Sequence, residues 1–91
     1  MSRSANDGQT GDSFGRLVAA RRRQLGLSQQ DLADRLCEAS GRPTLTRHEV
    51  SRYERGVRVP RGWPLEAMAT CLDLPLASLR HAIAERQREH A

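Results

Sequence analysis

The first apolar positions along the chain recur every three or four residues, which is the spacing of one buried face of an α-helix. Asp12 or Ser13 can cap the start of this helix, and Gly26 can end it. The stripe consists of Phe14, Leu17, Val18, Arg21 and Leu25. Because Arg21 interrupts the apolar stripe, we expect its stem to pack at the edge while its guanidinium stays in water.

A second helix is indicated by its capping residues. Ser28 is followed three residues later by Asp31, which is a variant of the capping box. The apolar face of this helix consists of Leu32, Ala33 and Leu36. The helix should stop near Ser40, because Gly41 and Pro43 then predict a loop over residues 41–45 rather than a continuation.

A third helix has little apolar surface. It opens at Thr46, where Glu49 completes a second capping box, and Gly56 closes it. Only Val50 and Tyr53 are clearly apolar between residues 46 and 55, so we expect these two side chains to face inward. Most of the surface of this helix is therefore left for solvent or a ligand.

Two further helices complete the pattern, and a proline precedes each apolar stripe. Pro64 at a first helical position starts the fourth helix, and Pro75 starts the fifth. The fourth repeats Leu65, Met68, Ala69 and Leu72, and the fifth has Leu76, Leu79 and Ile83 on its inner face. Residues 85–91 are polar on all sides, so we expect a tail that frays or protrudes.

The length and composition fit one small all-α domain. The chain has 91 residues, of which 37% are hydrophobic and only 3% are aromatic. Such a composition supports a single small core of aliphatic side chains and favours helices over strands. Residues 1–11 are polar and have no periodicity, which predicts a disordered arm before a folded domain over residues 12–84.

The positive charge is concentrated in the middle of the chain. Residues 13–61 contain 11 arginines against 5 acidic residues, an excess of six positive charges, although the whole chain carries only +4. A basic block of this kind attracts a polyanion, but a run of charge alone can also be a solvated surface.

Several functional classes find no support in the sequence. Cys37 and Cys71 each lie in an apolar helical pattern, which predicts buried free thiols rather than metal ligands. The chain shows no recognised catalytic motif and no glycine-rich phosphate loop, so we expect no enzyme, cofactor or metal site. It also shows neither a membrane span nor a signal peptide, which makes the cytoplasm the expected compartment.

Two motifs, in this order, resemble the Xre family of Cro and lambda-repressor type helix-turn-helix proteins. The first is GLSQQDLA at the start of the second helix, and the second is VSRYERG at the end of the third. The resemblance covers roughly residues 14–83 and implies a five-helix DNA-binding domain whose third helix reads the DNA. One departure is a longer connection between Leu36 and Val50, which predicts a longer second helix, a lengthened turn between the second and third helices, or both.

The resemblance implies roles for individual residues. The positions expected to touch base edges in the major groove are Arg47, His48, Ser51 and Arg52. Gln29 matches a position that bonds to phosphate, and Arg22 with Glu54 matches a structural ion pair between the first and third helices. From their places in the chain, further candidates for phosphate contact are Thr46, Arg58, Arg61 and Arg42.

The same residues allow two interpretations of function. The first is a sequence-specific regulator of transcription, expected to be a repressor, that binds an inverted-repeat operator in double-stranded DNA as a homodimer. The alternative is a protein-interaction module that keeps the fold, for example an antitoxin-like protein or an adaptor that binds another regulator. The third helix favours DNA because its exposed side is polar and basic rather than apolar.

Overall fold

The computed structural model describes residues 12–89, and the arm predicted over residues 1–11 lies outside the described residues. Five helices follow one another within this range, and no strand occurs in it, which confirms the predicted all-α fold. They are α1 (Ser13–Gln24), α2 (Gln29–Ser40), α3 (Arg47–Glu54), α4 (Trp63–Leu72) and α5 (Leu76–Glu89).

The first two helices begin and end where the local chemistry predicts. The Asp12 side chain accepts a hydrogen bond from the Gly15 N–H at 2.9 Å and so caps α1. In α2 the capping box is complete, because Ser28 and Asp31 each accept a bond from the other's backbone N–H at 2.9 Å. Gly41 ends α2 in the left-handed conformation, with φ of 72°, which glycine adopts without a steric penalty.

The core lies between two pairs of helices. α1 packs against α5, α2 packs against α4, and α3 contacts both α1 and α2. The largest fully buried side chains come from all five helices and are Phe14, Val18, Leu32, Leu36, Val50, Met68, Leu72 and Leu79. The position of α3 is therefore set by the same apolar cluster that holds the whole domain together.

The lengthened turn between α2 and α3 is anchored to the core. Leu45 near its end is buried among the core side chains. The Cys37 thiol donates a hydrogen bond to the Leu45 carbonyl at 3.1 Å, which ties the turn to α2. Both cysteines are free as predicted, but they are only partly buried. Burial still raises the pKa of the Cys71 thiol.

Two details of α1 differ from the expectation. Leu25, the C-cap residue after Gln24, is 39% exposed, and after Gly26 the chain buries Leu27 instead. The Arg21 head does not simply enter solvent, since its Nε donates to the Leu72 carbonyl at the end of α4 at 2.8 Å. This bond satisfies a carbonyl that the end of a helix otherwise leaves without an intrahelical partner.

The last two helices are each longer than expected. α4 begins at Trp63, one residue before the predicted Pro64. α5 continues to Glu89, so the fraying expected from residue 85 onward is wrong for residues 85–89. The physical reason is contact with the start of α1, where Ser13 donates a hydrogen bond to Glu89. None of the helices within residues 12–89 is both long and apolar enough to cross a membrane.

Candidate nucleic-acid interface

α3 is fixed to the domain through its inner face. Val50 is fully buried and Tyr53 is 5% exposed, as predicted from the pattern of apolar positions. Gly15 of α1 lies directly against the end of α3, and a Cβ atom added there would stand 2.2 Å from the Glu54 carbonyl oxygen. The backbones of the two helices are therefore in contact at this point, and only glycine allows it.

A buried ion pair reinforces the same junction. Glu54 accepts hydrogen bonds from Arg22 Nε at 2.6 Å and from Arg22 Nη2 at 3.0 Å, and both residues are more than nine-tenths buried. Arg22 also donates to the Leu27 carbonyl at 2.8 Å. The structure thus brings together the two residues that the family resemblance paired, in a bidentate geometry that fixes their relative orientation.

Gln29 belongs to this buried network. Its Nε2 donates to Glu54 Oε1 at 3.0 Å, so the first turn of α2 is connected to the last turn of α3. The sequence had suggested a phosphate contact for Gln29. An amide nitrogen carries a second N–H, so the bond to Glu54 still leaves a donor for an anion, and the phosphate role stays a prediction.

The outer face of α3 carries the side chains expected to read bases. Arg47, His48 and Arg52 are exposed, and Ser51 is partly buried. Arg47 and His48 stand in the first turn, directly after the cap formed by Thr46. The Thr46 hydroxyl accepts a hydrogen bond from the Glu49 N–H at 3.4 Å.

The predicted capping box of α3 is only half formed. Within the described part of α3, Glu49 does not return a bond to the Thr46 N–H. Its carboxylate binds two arginines instead: Oε1 lies 3.1 Å from Arg52 Nη1, and Oε2 lies 2.8 Å from Arg58 Nε. Glu49 thus brings together a candidate base reader from α3 and a candidate phosphate ligand from the connector that follows it.

The remaining candidate phosphate ligands lie outside this cluster. Arg61 is exposed on the connector before α4. Arg42 in the lengthened turn stacks over Trp63, with its guanidinium carbon 5.3 Å from the centre of the ring. A cation–π contact of this kind orients the guanidinium, and it joins the turn to the start of α4.

Tyr53 is a buried titratable group behind the recognition surface. Burial raises the pKa of its phenol to about 12, and the negative charge of the neighbouring Glu49 carboxylate adds to this rise. The phenol therefore remains neutral at any physiological pH.

Sequence reasoning missed the contacts made by the end of α5. Arg86 donates from Nη2 to the Gly56 carbonyl, just after α3, at 2.9 Å, and it forms an ion pair with the buried Asp12 carboxylate. Glu89 accepts a hydrogen bond from the Ser13 N–H at 3.1 Å. A signal was present, because Arg86 follows Leu79 and Ile83 at helical spacing and so continues their inner face.

A family model described as a helix-turn-helix domain matches residues 13–82, which include almost all of the described helices. The chain belongs to this helix-turn-helix family. The match confirms the fold expected from the two motifs and is consistent with the resemblance to the Xre family. A separate search of curated proteins found no match. Helix-turn-helix domains are DNA-binding modules and are typically not enzymes, so membership indicates that this chain binds DNA.

Proposed function

We propose that this helix-turn-helix domain binds double-stranded DNA sequence-specifically and represses transcription. The observation that carries the proposal is the division of α3 into two faces. Val50, Tyr53 and Glu54 fix one face to the core, while arginine and histidine side chains cover the other. A helix fits the major groove of B-form DNA, where each base pair presents a distinct pattern of donors, acceptors and methyl groups. A rigid helix with an exposed basic face suits that groove in both shape and charge.

Four side chains are assigned to base reading. Arg47 and Arg52 each contact the O6 and N7 atoms of a guanine, a bidentate contact that discriminates by about 1–3 kcal/mol against a wrong base. His48 and Ser51 offer shorter polar groups to neighbouring base edges. The exposure of Arg47 and His48 in the first turn of α3 supports these roles.

A second set of residues binds the phosphate backbone and positions the domain on the duplex. Thr46 and Gln29 stand at the starts of α3 and α2, where backbone N–H groups and the helix dipole favour an anion. The other members are arginines in the turns on either side of α3, namely Arg42, Arg58 and Arg61. Their contacts carry no sequence information but supply most of the salt-dependent affinity.

One short recognition helix reads only one half-site, so the protein acts as a homodimer on an inverted repeat. α5 is the surface assigned to the dimer contact. Its last residues, 85–89, are helical and bonded to the start of α1, so α5 offers a continuous helical surface for that contact. The DNA-binding role supports a cytoplasmic location.

The test is selection from a random duplex library at near-physiological salt, followed by sequencing of the bound fraction. We expect enrichment of an inverted repeat, whose spacing reports the dimer geometry. Absence of any enriched motif, with only weak and salt-sensitive binding, would contradict the proposal and favour a partner protein instead of DNA.

Two arginine variants then separate the two kinds of contact. Arg47→Ala should weaken binding to the enriched site far more than to a scrambled duplex. Arg61→Ala should weaken both alike and reduce the slope of log K against log salt by about 0.9, the value for one phosphate contact. Both side chains are exposed, so thermal melting should be unchanged in either variant. Equal losses on every sequence in both variants would remove the base-reading role from Arg47.

A further inference from the structure

Glu49 occupies an unusual place for an acidic side chain, since it lies inside the basic surface assigned to DNA. Its side chain is 19% exposed, and both of its oxygens are engaged by arginines. Arg52 belongs to α3, whereas Arg58 belongs to the connector after it, and their side chains are 48% and 62% exposed. One carboxylate thus joins cations from two separate segments of the chain. We call Glu49, Arg52 and Arg58 the arginine clamp.

The clamp replaces a bond that would have stabilised the helix start. Asp31, at the same position in α2, completes a capping box with Ser28. Glu49 has the position and the length to do the same with Thr46, but it points to the two arginines. Glu49 is itself only 19% exposed, and it neighbours the buried phenol of Tyr53. The carboxylate of the clamp is therefore partly enclosed on the core side of α3.

Two opposite effects of this carboxylate on DNA binding follow from electrostatics. Its negative charge opposes the approach of any phosphate backbone, whatever the base sequence. It also restricts two long, flexible side chains, each of which would otherwise lose rotamer entropy on binding. A restricted guanidinium discriminates better, because it can form its two hydrogen bonds only with a base in one position.

We propose that Glu49 is a positioning residue that determines specificity, by holding Arg52 for base reading and Arg58 for the phosphate backbone at the expense of general affinity for DNA. This inference rests on the proposed function, because it needs DNA as the ligand. On this proposal Glu49 raises the ratio of the affinity for the preferred sequence to the affinity for any other duplex.

The experiment measures affinity for the enriched site and for a scrambled duplex at two salt concentrations. Glu49→Gln should weaken the enriched site by about tenfold and tighten the scrambled duplex by about twofold to threefold. Glu49→Asp keeps the charge but is too short to reach both arginines, so it should weaken the enriched site and leave the scrambled duplex unchanged. Opposite changes on the two duplexes cannot come from a loss of folded protein, which would weaken both.

The matched control is Asp34→Asn. Asp34 is exposed on α2 and accepts a hydrogen bond from Gln30 at 2.9 Å. The Asn carbonyl oxygen can still accept this bond, so the variant removes one charge outside the clamp and little else. It should tighten both duplexes slightly and leave their ratio unchanged. If Glu49→Gln behaves like this control, the positioning role is wrong. If the wild-type protein itself shows no preferred sequence, the proposed function fails instead, so the two failures are distinguishable.

Discussion

Replacing Gly15 with alanine tests how closely α1 and α3 are held together. The methyl group would stand 2.2 Å from the Glu54 carbonyl oxygen and 2.9 Å from the Tyr53 carbonyl oxygen. Both are backbone atoms of α3, so no side chain can rotate away to make room. An ordinary carbon–oxygen contact needs more than 3 Å, so the two helices must separate by about 1 Å.

Two terms of opposite sign decide the size of the effect. Alanine is favoured over glycine inside a helix by about 1 kcal/mol. Overpacking costs about 1–3 kcal/mol, and a contact between backbones belongs at the upper end. The clash therefore wins, and we expect Gly15→Ala to lower the free energy of unfolding by about 2 kcal/mol. In a domain of this size that corresponds to a fall of about 8–16 °C in Tm.

Thermal melting followed by circular dichroism measures this difference. Ala20→Gly is the matched control, because Ala20 is exposed on the same helix and makes no such backbone contact. It measures the difference in helix propensity between alanine and glycine alone, with an expected loss of about 1 kcal/mol. A rise in Tm for Gly15→Ala would refute the reasoning, since it would mean that the higher helix propensity of alanine stabilises α1 and that no clash with α3 occurs. The Gly15→Ala variant should also weaken binding to the preferred DNA sequence, because α3 would move from its packed position against the core.

The remaining predictions concern the groups around the recognition helix. Glu54→Gln leaves the Arg22 charge buried without its partner and should cost about 3–5 kcal/mol in chemical denaturation; a loss under 1 kcal/mol would contradict the pairing. Tyr53 is the only tyrosine, so absorbance at alkaline pH follows its phenol directly. Because folding raises the pKa of this phenol from 10 to about 12, the free energy of unfolding should be constant below pH 10 and fall by about 2 kcal/mol between pH 10 and pH 12. The Tyr53→Phe variant should not show this fall. Arg86→Ala should lower Tm by several degrees, and an unchanged Tm would show that its bond to Gly56 contributes nothing.

Much of the fold could be predicted because local chemistry and apolar spacing agree. Ser28 with Asp31, and Gly41 after them, mark both ends of α2 without reference to the rest of the chain. Leu25 shows the limit of the method. Its spacing fits the apolar stripe of α1, but it is the C-cap of the helix, and the core takes up Leu27 after the left-handed Gly26 instead.

The candidate site was predictable as a set of residues but not as a set of contacts. The positions of Arg22 and Glu54 came from the family resemblance, and the structure supplies their bidentate geometry. The partners of Glu49 could not be inferred, because a capping box and a pair of arginines compete for the same carboxylate. Spacing along the helix fits Thr46 and Arg52 equally well, and Arg58 lies beyond the helix altogether.

The contact between the two ends of the domain has a consequence for how the protein is made. Ser13 and Glu89 are 76 residues apart in the chain, yet they are joined by a hydrogen bond, and Arg86 bonds to both Asp12 and the end of α3. A ribosome delivers α1 and α3 well before these last residues emerge. The recognition helix of a nascent chain therefore lacks its final contact until synthesis passes Arg86. A chain that stops before Arg86 lacks these bonds, so its recognition helix should be held less firmly than in a chain that includes residues 86–89.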